Sequence, residues 1–433
     1  MNNMLILAWR VTLGKFNRLK GNEEMRVLVT AYACEPGKGS EPEVGWQWVR
    51  QIARFHETWV LTRSNNRLPI ENALKIVPHP NLHFVYLDLP AWAMFWKKGN
   101  RGIQFYYQLW QIFSGVMGRR LHKSIKFDIT QHVTFVNDWI GSGVSLVPAP
   151  LVWGPIGSHP FVARKYLDFI GLRDYLNGLL RLFLRFSARY RDPLYLLCNF
   201  RSRRVLVANQ ECISRLPRSA RKKAQIWAQN SVTSEDLAEP RRHSIPLQIL
   251  SVGRLAGFKG FRLAIRAFAK HLEFYPESIL TIVGEGKQRN DLELLVKALK
   301  LQNKVIFTGQ VPRNKVLDLM TQSHAFIFPS FEGAGMVVIE AMAKGLPVVC
   351  LDFGGPGEYV TDGCGIKVPL TEPGEVIQGI ADGLSRFASD PDLYETLSAG
   401  AIRRVRENYL WDHVGERLNV LYQEVYQETK AAK

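Results

Sequence analysis

Two carboxylates, Glu332 and Glu340, bracket the turn Gly333-Ala-Gly335 within the segment Phe328–Val349. A helix running from about Gly335 to Lys344, with Gly345 placed to cap it, sets both acids around its N-terminus. The first N–H groups of a helix have no intrahelical acceptor and carry partial positive charge. Such a terminus suits an anion such as phosphate, while carboxylates at its rim accept hydrogen bonds from hydroxyls. A phosphate joined to polyols describes a sugar nucleotide.

The elements that must position these groups read as alternating strands and helices. His324–Phe328 and Leu346–Leu351 are apolar runs of buried strands on either side of the helix. Before them, Leu247–Val252, Ser278–Val283 and Lys304–Thr308 are strands, with helices at Phe261–Phe274 and Asn290–Leu301. Helices at 371–388, 391–407 and 411–427 follow. The first half repeats the scheme. Its strands are Arg26–Tyr32, Thr58–Thr62, Leu82–Leu87, Ile129–Val133, Leu151–Gly154, Arg204–Asn209 and a short one in Lys223–Asn230. Its helices are Val44–Phe55, Gln104–Lys123 and a helical region from Leu172 to Asn199. The series predicts an α/β protein of two doubly wound parallel sheets with a cleft between them, ligands binding beyond the carboxyl ends of the strands. Residues 231–246, with Pro240, Arg241-Arg242 and Pro246, read as the linker. The expected organisation is an extension at 1–24, a first domain at 25–235, a second at 246–408 and a C-terminal helix at 409–433.

Set between strand and helix, Glu332-Gly-Ala-Gly-Met-Val-Val-Ile-Glu340 resembles the signature of the retaining glycosyltransferases of family 4, and within it the bacterial enzymes of exopolysaccharide and cell-surface polysaccharide synthesis. That family has the GT-B fold, two Rossmann-like domains around a cleft. Its pattern is Glu-Gly-(aromatic or Leu)-Gly-x-x-x-x-Glu, and Ala334 departs from it at the bulky position. The resemblance implies that Glu332 contacts the donor sugar and the reacting centre, and that Glu340 contacts the ribose hydroxyls. The N–H groups of Gly335, Met336 and Val337 would bind sugar hydroxyl or diphosphate. Val252-Gly-Arg254-Leu-Ala-Gly-Phe-Lys259-Gly matches the family stretch whose Arg and Lys bind the diphosphate, where cations stabilise the charge of a departing nucleoside diphosphate. Gly284, in Val283-Gly-Glu-Gly, and Gln310 with Val311 would lie around the nucleoside, with UDP and GDP both open. Asp352–Glu358 continues the likeness, as a contact or as a turn. In the first half, Gly37-Lys-Gly39-Ser40 is similar to the loop that closes over the donor phosphates, and it lacks the spacing of a dinucleotide-cofactor site. His132 stands where the family keeps a histidine near the reacting sugar. Val152–His159 is similar to a Gly-Pro-Ile-Gly-Gly stretch, with Ser158 in place of the last Gly and His159 as a contact. Tyr409-Leu-Trp-Asp resembles the start of the last helix, which returns to the first domain. The nucleotide sugar is then a substrate, with no cofactor and no metal required. Asp390-Pro-Asp392 reads as a helix start, with Asp390 as N-cap.

The net charge of +17 is unevenly placed. Residues 1–230 carry 33 Lys and Arg against 14 Asp and Glu, whereas residues 231–433 carry 23 against 25. The first half should therefore favour a polyanionic partner: an anionic membrane surface, a phosphorylated acceptor or nucleic acid. No recognition helix or aromatic RNA-binding strand supports nucleic acid. Aromatics sit beside cations in Ala91–Lys98, and a second aromatic cluster follows in Phe105–Trp110. Arg181, Arg185 and Arg189 recur every fourth residue as a basic stripe on one helix, a pattern that suits an anionic membrane surface. The uncharged run Trp139–Ala163 is broken by Pro148, Pro150, Pro155 and Pro160 into strand and turns rather than a spanning helix. Met4–Trp9 is too short for a signal segment. Five cysteines without metal spacing read as reduced thiols of a cytosolic protein. The expected activity is transfer of a hexose from a UDP- or GDP-sugar to a hydroxyl of a lipid-linked or growing polysaccharide acceptor, at the inner face of the cytoplasmic membrane. The alternatives are a GT-B enzyme with a soluble acceptor, a sugar epimerase, or a basic nucleic-acid-binding protein.

Overall fold

A computed structural model of the chain describes residues 23–90, 102–157 and 161–432. Most of the 1–24 extension, the Ala91–Lys98 stretch, Ser158 and His159 lie outside the described residues. The first domain holds seven strands: β1 (Arg26–Thr30), β2 (Glu57–Thr62), β3 (Leu82–Tyr86), β4 (Ile129–His132), β5 (Leu151–Ile156), β6 (Ser202–Val207) and β7 (Ala224–Ile226). They pair in parallel in the order β3-β2-β1-β4-β5-β6-β7. The second domain holds six: β8 (Gln248–Val252), β9 (Ile279–Val283), β10 (Val305–Gly309), β11 (Ala325–Phe328), β12 (Val348–Leu351) and β13 (Gly365–Val368). Their order is β10-β9-β8-β11-β12-β13, again parallel. Continuous apolar runs such as Ala325-Phe-Ile-Phe are buried throughout because helices cover both faces of each sheet. The strand order reverses between β1 and β4 in one sheet and between β8 and β11 in the other. Those are the crevices where α/β sheets bind ligands.

The domains are tied by segments that cross between them. The final helix, Trp411–Ala431, lays Trp411, Val414, Leu418 and Tyr422 into the core that holds Val44, Trp48 and Ile52 of the first domain. In the other direction, Val162, Tyr166 and Ile170 join Leu255 and Phe261 in the core of the second domain. The Tyr166 hydroxyl donates to the Thr371 carbonyl at 2.6 Å, and the Gly257 N–H donates to Asp174 Oδ2 at 3.0 Å.

Three expectations change. The Leu172–Asn199 helical region is two helices, Leu172–Arg191 and Pro193–Arg201. Asp192 breaks it by accepting from Leu194 and Tyr195 N–H groups at 2.9 and 3.2 Å, with Pro193 unable to continue the first helix. The helix Arg313–Gln322 and strand β13 were not foreseen. The helix buries only Met320, so it has little apolar periodicity to read, and β13 is four residues long. Third, the Arg181/Arg185/Arg189 stripe does not face outward as a unit: Arg181 is exposed, whereas Arg185 is buried and Arg189 half-buried. Arg185 pairs with the buried Asp138, Nε to Oδ1 3.4 Å, and Arg189 donates to the Arg215 carbonyl. A buried carboxylate demands a cation, and this fixes the rotation of the helix. All five cysteines are buried and free.

Candidate functional site

The loops that follow β8 and β11 meet at the switch point of the second sheet. The β8 loop carries Arg254 and Lys259, and the β11 loop carries Glu332. The two are bound together by the Phe331 N–H donating to the Phe258 carbonyl at 2.8 Å. Lys259 Nζ lies 2.5 Å from Glu332 Oε1, with both side chains largely buried. The Lys259 ammonium also sits 5.8 Å from the Phe258 ring centroid and 5.4 Å from that of Phe328, while the Arg254 guanidinium lies 5.6 Å from Phe258. The second carboxylate oxygen of Glu332 is buried and has no hydrogen-bond partner among the described residues. A buried carboxylate oxygen left without a donor is costly, so a donor from outside the chain would be bound strongly there.

Glu332 is followed by the turn that starts the Met336–Ala343 helix. Gly335 is its N-cap at φ 59°, and no side chain among the described residues caps the terminus. A Cβ at Gly335 would meet Pro356 Cγ at 2.7 Å and the Phe328 ring at 3.3 Å, so only glycine lets the chain turn here. The helix N-terminus, with the N–H groups of Gly335, Met336 and Val337, thus opens beside the Phe328 ring that Lys259 covers. Met336 packs against the core of the first domain, and Val337 against that of the second.

Glu340 lies one turn further on. Its Oε1 accepts from Arg313 Nη2 at 2.7 Å. Burial pushes the Glu340 carboxyl above its ordinary range, and Arg313 pulls it back. Arg313 begins the helix that follows Gln310 and Val311, the first of these exposed and the second half-buried. A Cβ on Gly39 would lie 3.9 Å from Arg313 Cδ, so the first domain's Gly37–Ser40 loop reaches across the cleft to the same group. Gly39 and Ser40 have φ 72° and 53°. The loop is anchored where Glu41 Oε1 accepts from the Phe135 N–H at 2.5 Å. Gly284 has φ 134° and its N–H donates to the Gly309 carbonyl at 2.9 Å, so the β9 and β10 loops are neighbours. A Cβ on Gly284 would strike the Gly253 carbonyl oxygen at 2.0 Å, which makes that glycine a packing requirement.

His132 ends β4 as expected but has no accessible surface. Its Nε2 lies 3.0 Å from the Tyr107 hydroxyl and 3.4 Å from Gln111 Nε2. Burial holds its pKa down at about 3, so the ring is neutral and enclosed rather than presented to the cleft. Glu358 Oε1 accepts from the Gln210 N–H at 3.0 Å, a contact between domains. Asp390 accepts from the Leu393 N–H at 3.0 Å, with Pro391 behind it, as an N-cap.

Two residues of the site escaped the sequence reading. Arg313 was hidden because nothing local says that it reaches Glu340. Asn209 caps the Gln210–Arg215 helix by accepting from the Cys212 N–H, and its Nδ2 donates to the Gly333 carbonyl at 2.7 Å. It therefore holds the turn beside Glu332 from the opposite domain. Its place just beyond the carboxyl end of β6 was the signal available.

Residues 234–404 match the family model "Glycosyl transferases group 1". Over 187 residues, 41% of this chain and 47% of the relative, the chain is 37% identical to an uncharacterized glycosyltransferase of Methanocaldococcus jannaschii. It is 30% identical over 179 residues to the alpha-D-kanosaminyltransferase of Streptomyces kanamyceticus, covering 41% and 45% of the two chains. The chain thus spans about half the length of the curated relatives it matches. Among solved structures, Anabaena HepE in complex with UDP and glucose is similar with a TM-score of 0.60 and 16% identity, over 93% of this chain and 100% of that one. WaaG, a glycosyltransferase involved in lipopolysaccharide biosynthesis, is similar with a TM-score of 0.56 and 17% identity, over 92% and 99%. The likeness extends over both domains and shows the two-domain GT-B fold.

Proposed function

We propose that the protein is a glycosyltransferase that moves a hexose from a nucleoside diphosphate sugar to a hydroxyl. The observation that carries this reading is the convergence of the paired Lys259 and Glu332, with Arg254 close by, on the open N-terminus of the Met336–Ala343 helix. Arg254, Lys259 and the helix N-terminus would hold the diphosphate and stabilise the charge it gains as the glycosidic bond breaks. With that charge met by cations of the chain, the reading requires no metal. Glu332, with its unpartnered oxygen, would accept from a hydroxyl of the donor sugar. Glu340 would accept from the ribose. Gly39 and Ser40 would cover the phosphates from the first domain, and Gly284, Gln310 and Val311 would border a uridine or guanosine. In this reading the anomeric configuration is retained by front-face attack, the departing phosphate taking the proton of the acceptor hydroxyl. His132 would shape this face of the cleft through Tyr107 and Gln111.

The acceptor in this reading is a lipid-linked or growing polysaccharide sugar, and the enzyme works at the inner face of the cytoplasmic membrane. The basic excess of residues 1–230 supports an anionic surface as its partner. No helix among the described residues is long and apolar enough to cross a membrane.

The test is thermal shift against UDP-, GDP- and ADP-sugars, followed by release of the nucleoside diphosphate with acceptor present. A donor at a hundred times its Kd stabilises by about 2.7 kcal/mol, or roughly 5–10 °C for a domain of this size. The reading fails if no nucleotide sugar raises the Tm. An isomerised free sugar in place of a transferred one would assign an epimerase instead.

A further inference from the structure

The helix Leu172–Arg191 is amphipathic, and it is mounted with its apolar face outward. Leu172, Leu176, Leu180, Phe183, Phe186 and Tyr190 fall on one side at helical spacing, and all are exposed, the last three by 68%, 67% and 70%. Positions three, four and seven apart share a face, so this is one continuous stripe rather than scattered residues. Arg173 and Arg191 flank it five turns apart, both exposed. Asp174, the helix's sole acidic residue, turns away from the stripe to accept from the Gly257 N–H of the second domain. The opposite face carries Gly178 and Arg181 and borders a pocket shared with Phe258 and Phe331, beside the loops of Arg254 and Glu332. The next helix, Pro193–Arg201, adds Leu196 and Phe200, also exposed.

We infer that this stripe is a membrane-docking surface that inserts into an anionic leaflet. An exposed apolar patch of this size marks an interaction site. The arginines at its margin select lipid phosphate as the occupant, because the neighbouring Asp174 and Asp192 carboxylates are engaged by the N–H groups of Gly257 and of Gly141, Leu194 and Tyr195. Insertion along this face would leave the pocket on the far side of the helix, facing away from the bilayer and about one helix diameter, roughly 10 Å, from its surface. The head group of a lipid-linked acceptor would then reach past the helix to Phe258 and Phe331 while its lipid stays in the bilayer. This orientation rests on the glycosyltransferase reading; the docking itself does not.

The experiment is co-sedimentation of the full chain with phosphatidylcholine vesicles containing or lacking phosphatidylglycerol, for the parent and for Phe183→Ser/Phe186→Ser. Both side chains are exposed, so the variant should keep the parent's Tm. The parent should bind the anionic vesicles, and the variant's partition should fall by about tenfold or more. Raised salt should weaken parent binding by screening the arginines. Nucleotide-sugar thermal shift on the same samples keeps the two claims apart, because loss of that shift with vesicle binding intact sinks the donor reading alone. Docking through this face is overturned if the parent stays in the supernatant or if the variant sediments like the parent. It is equally overturned if the parent self-associates through this face, with the variant monomeric and neither binding vesicles.

Discussion

Replacing Lys259 by Met tests the centre of the site. Lys259 and Glu332 lie 2.5 Å apart with side chains 12% and 18% exposed. The variant leaves Glu332 as a largely buried carboxylate without its cation, its other oxygen already unpartnered. Breaking a fully buried pair from one side costs about 3–5 kcal/mol. The remaining exposure of this pair reduces the expected loss to about 2–3 kcal/mol. That loss lowers the Tm by roughly 5–10 °C. Adding Glu332→Gln to the variant removes the stranded charge and should restore most of the Tm, a coupling that independent sites would not show. Nucleotide binding should behave differently. Loss of a charge-assisted contact to diphosphate is worth about 1.5–3 kcal/mol, or about tenfold to 150-fold in Kd, and the double variant should not regain it. Calorimetric melting and nucleotide titration of the parent, both single variants and the double variant provide the full cycle. The reasoning is refuted if Lys259→Met melts within about 1 °C of the parent, or if the double variant is no more stable than Lys259→Met.

Glu340→Gln should separate stability from binding. The folded carboxyl titrates above its ordinary value because burial opposes its charge. This penalty is absent at low pH and appears as pH rises through the raised value, so at pH 7 the neutral amide should melt no lower than the parent, while UDP or GDP affinity falls about tenfold. Gly335→Ala forces a side chain at φ 59° and 2.7 Å from Pro356 Cγ. It should lose about 1–3 kcal/mol by denaturant titration together with the nucleotide-induced shift. His132 is held at about 3, and His56 and His271 at about 4, by burial. Because these folded values lie below the ordinary 6.5, their contribution is complete above that pH. It drains as pH falls, by up to about 1.4 kcal/mol per unit for each ring. Urea midpoints between pH 7.5 and 5 should show this slope, and His132→Gln should flatten it.

The strand-turn-helix around Glu332 and Glu340 was legible because every part of it is local. An apolar run fills a strand buried on both faces, Gly335 supplies the left-handed turn, and the acids fall at set offsets from the helix start. The same holds for Arg254 and Lys259, which follow a strand whose carboxyl end must open into the crevice. Asp390 and Pro391 likewise declared a helix start through neighbours two or three residues away. The break at Asp192-Pro193 was equally local and could have been read.

Other features have no local cause. Arg313 acquires its role from Glu340, 27 residues on, and from a loop of the other domain. Asn209 meets Gly333 across 124 residues. His132 could be placed at a strand end, but its enclosure by Tyr107 and Gln111 depends on how the Ile103–Ile125 helix packs over that end. The helix Leu172–Arg191 shows the boundary best. Its sequence determined that arginines share one side and large apolar residues the other, because helical spacing alone decides which residues are neighbours. Only the tertiary structure decided which side faces out. The buried Asp138 carboxylate needs Arg185, and meeting that need turns Arg185 and Arg189 inward and leaves the apolar stripe uncovered.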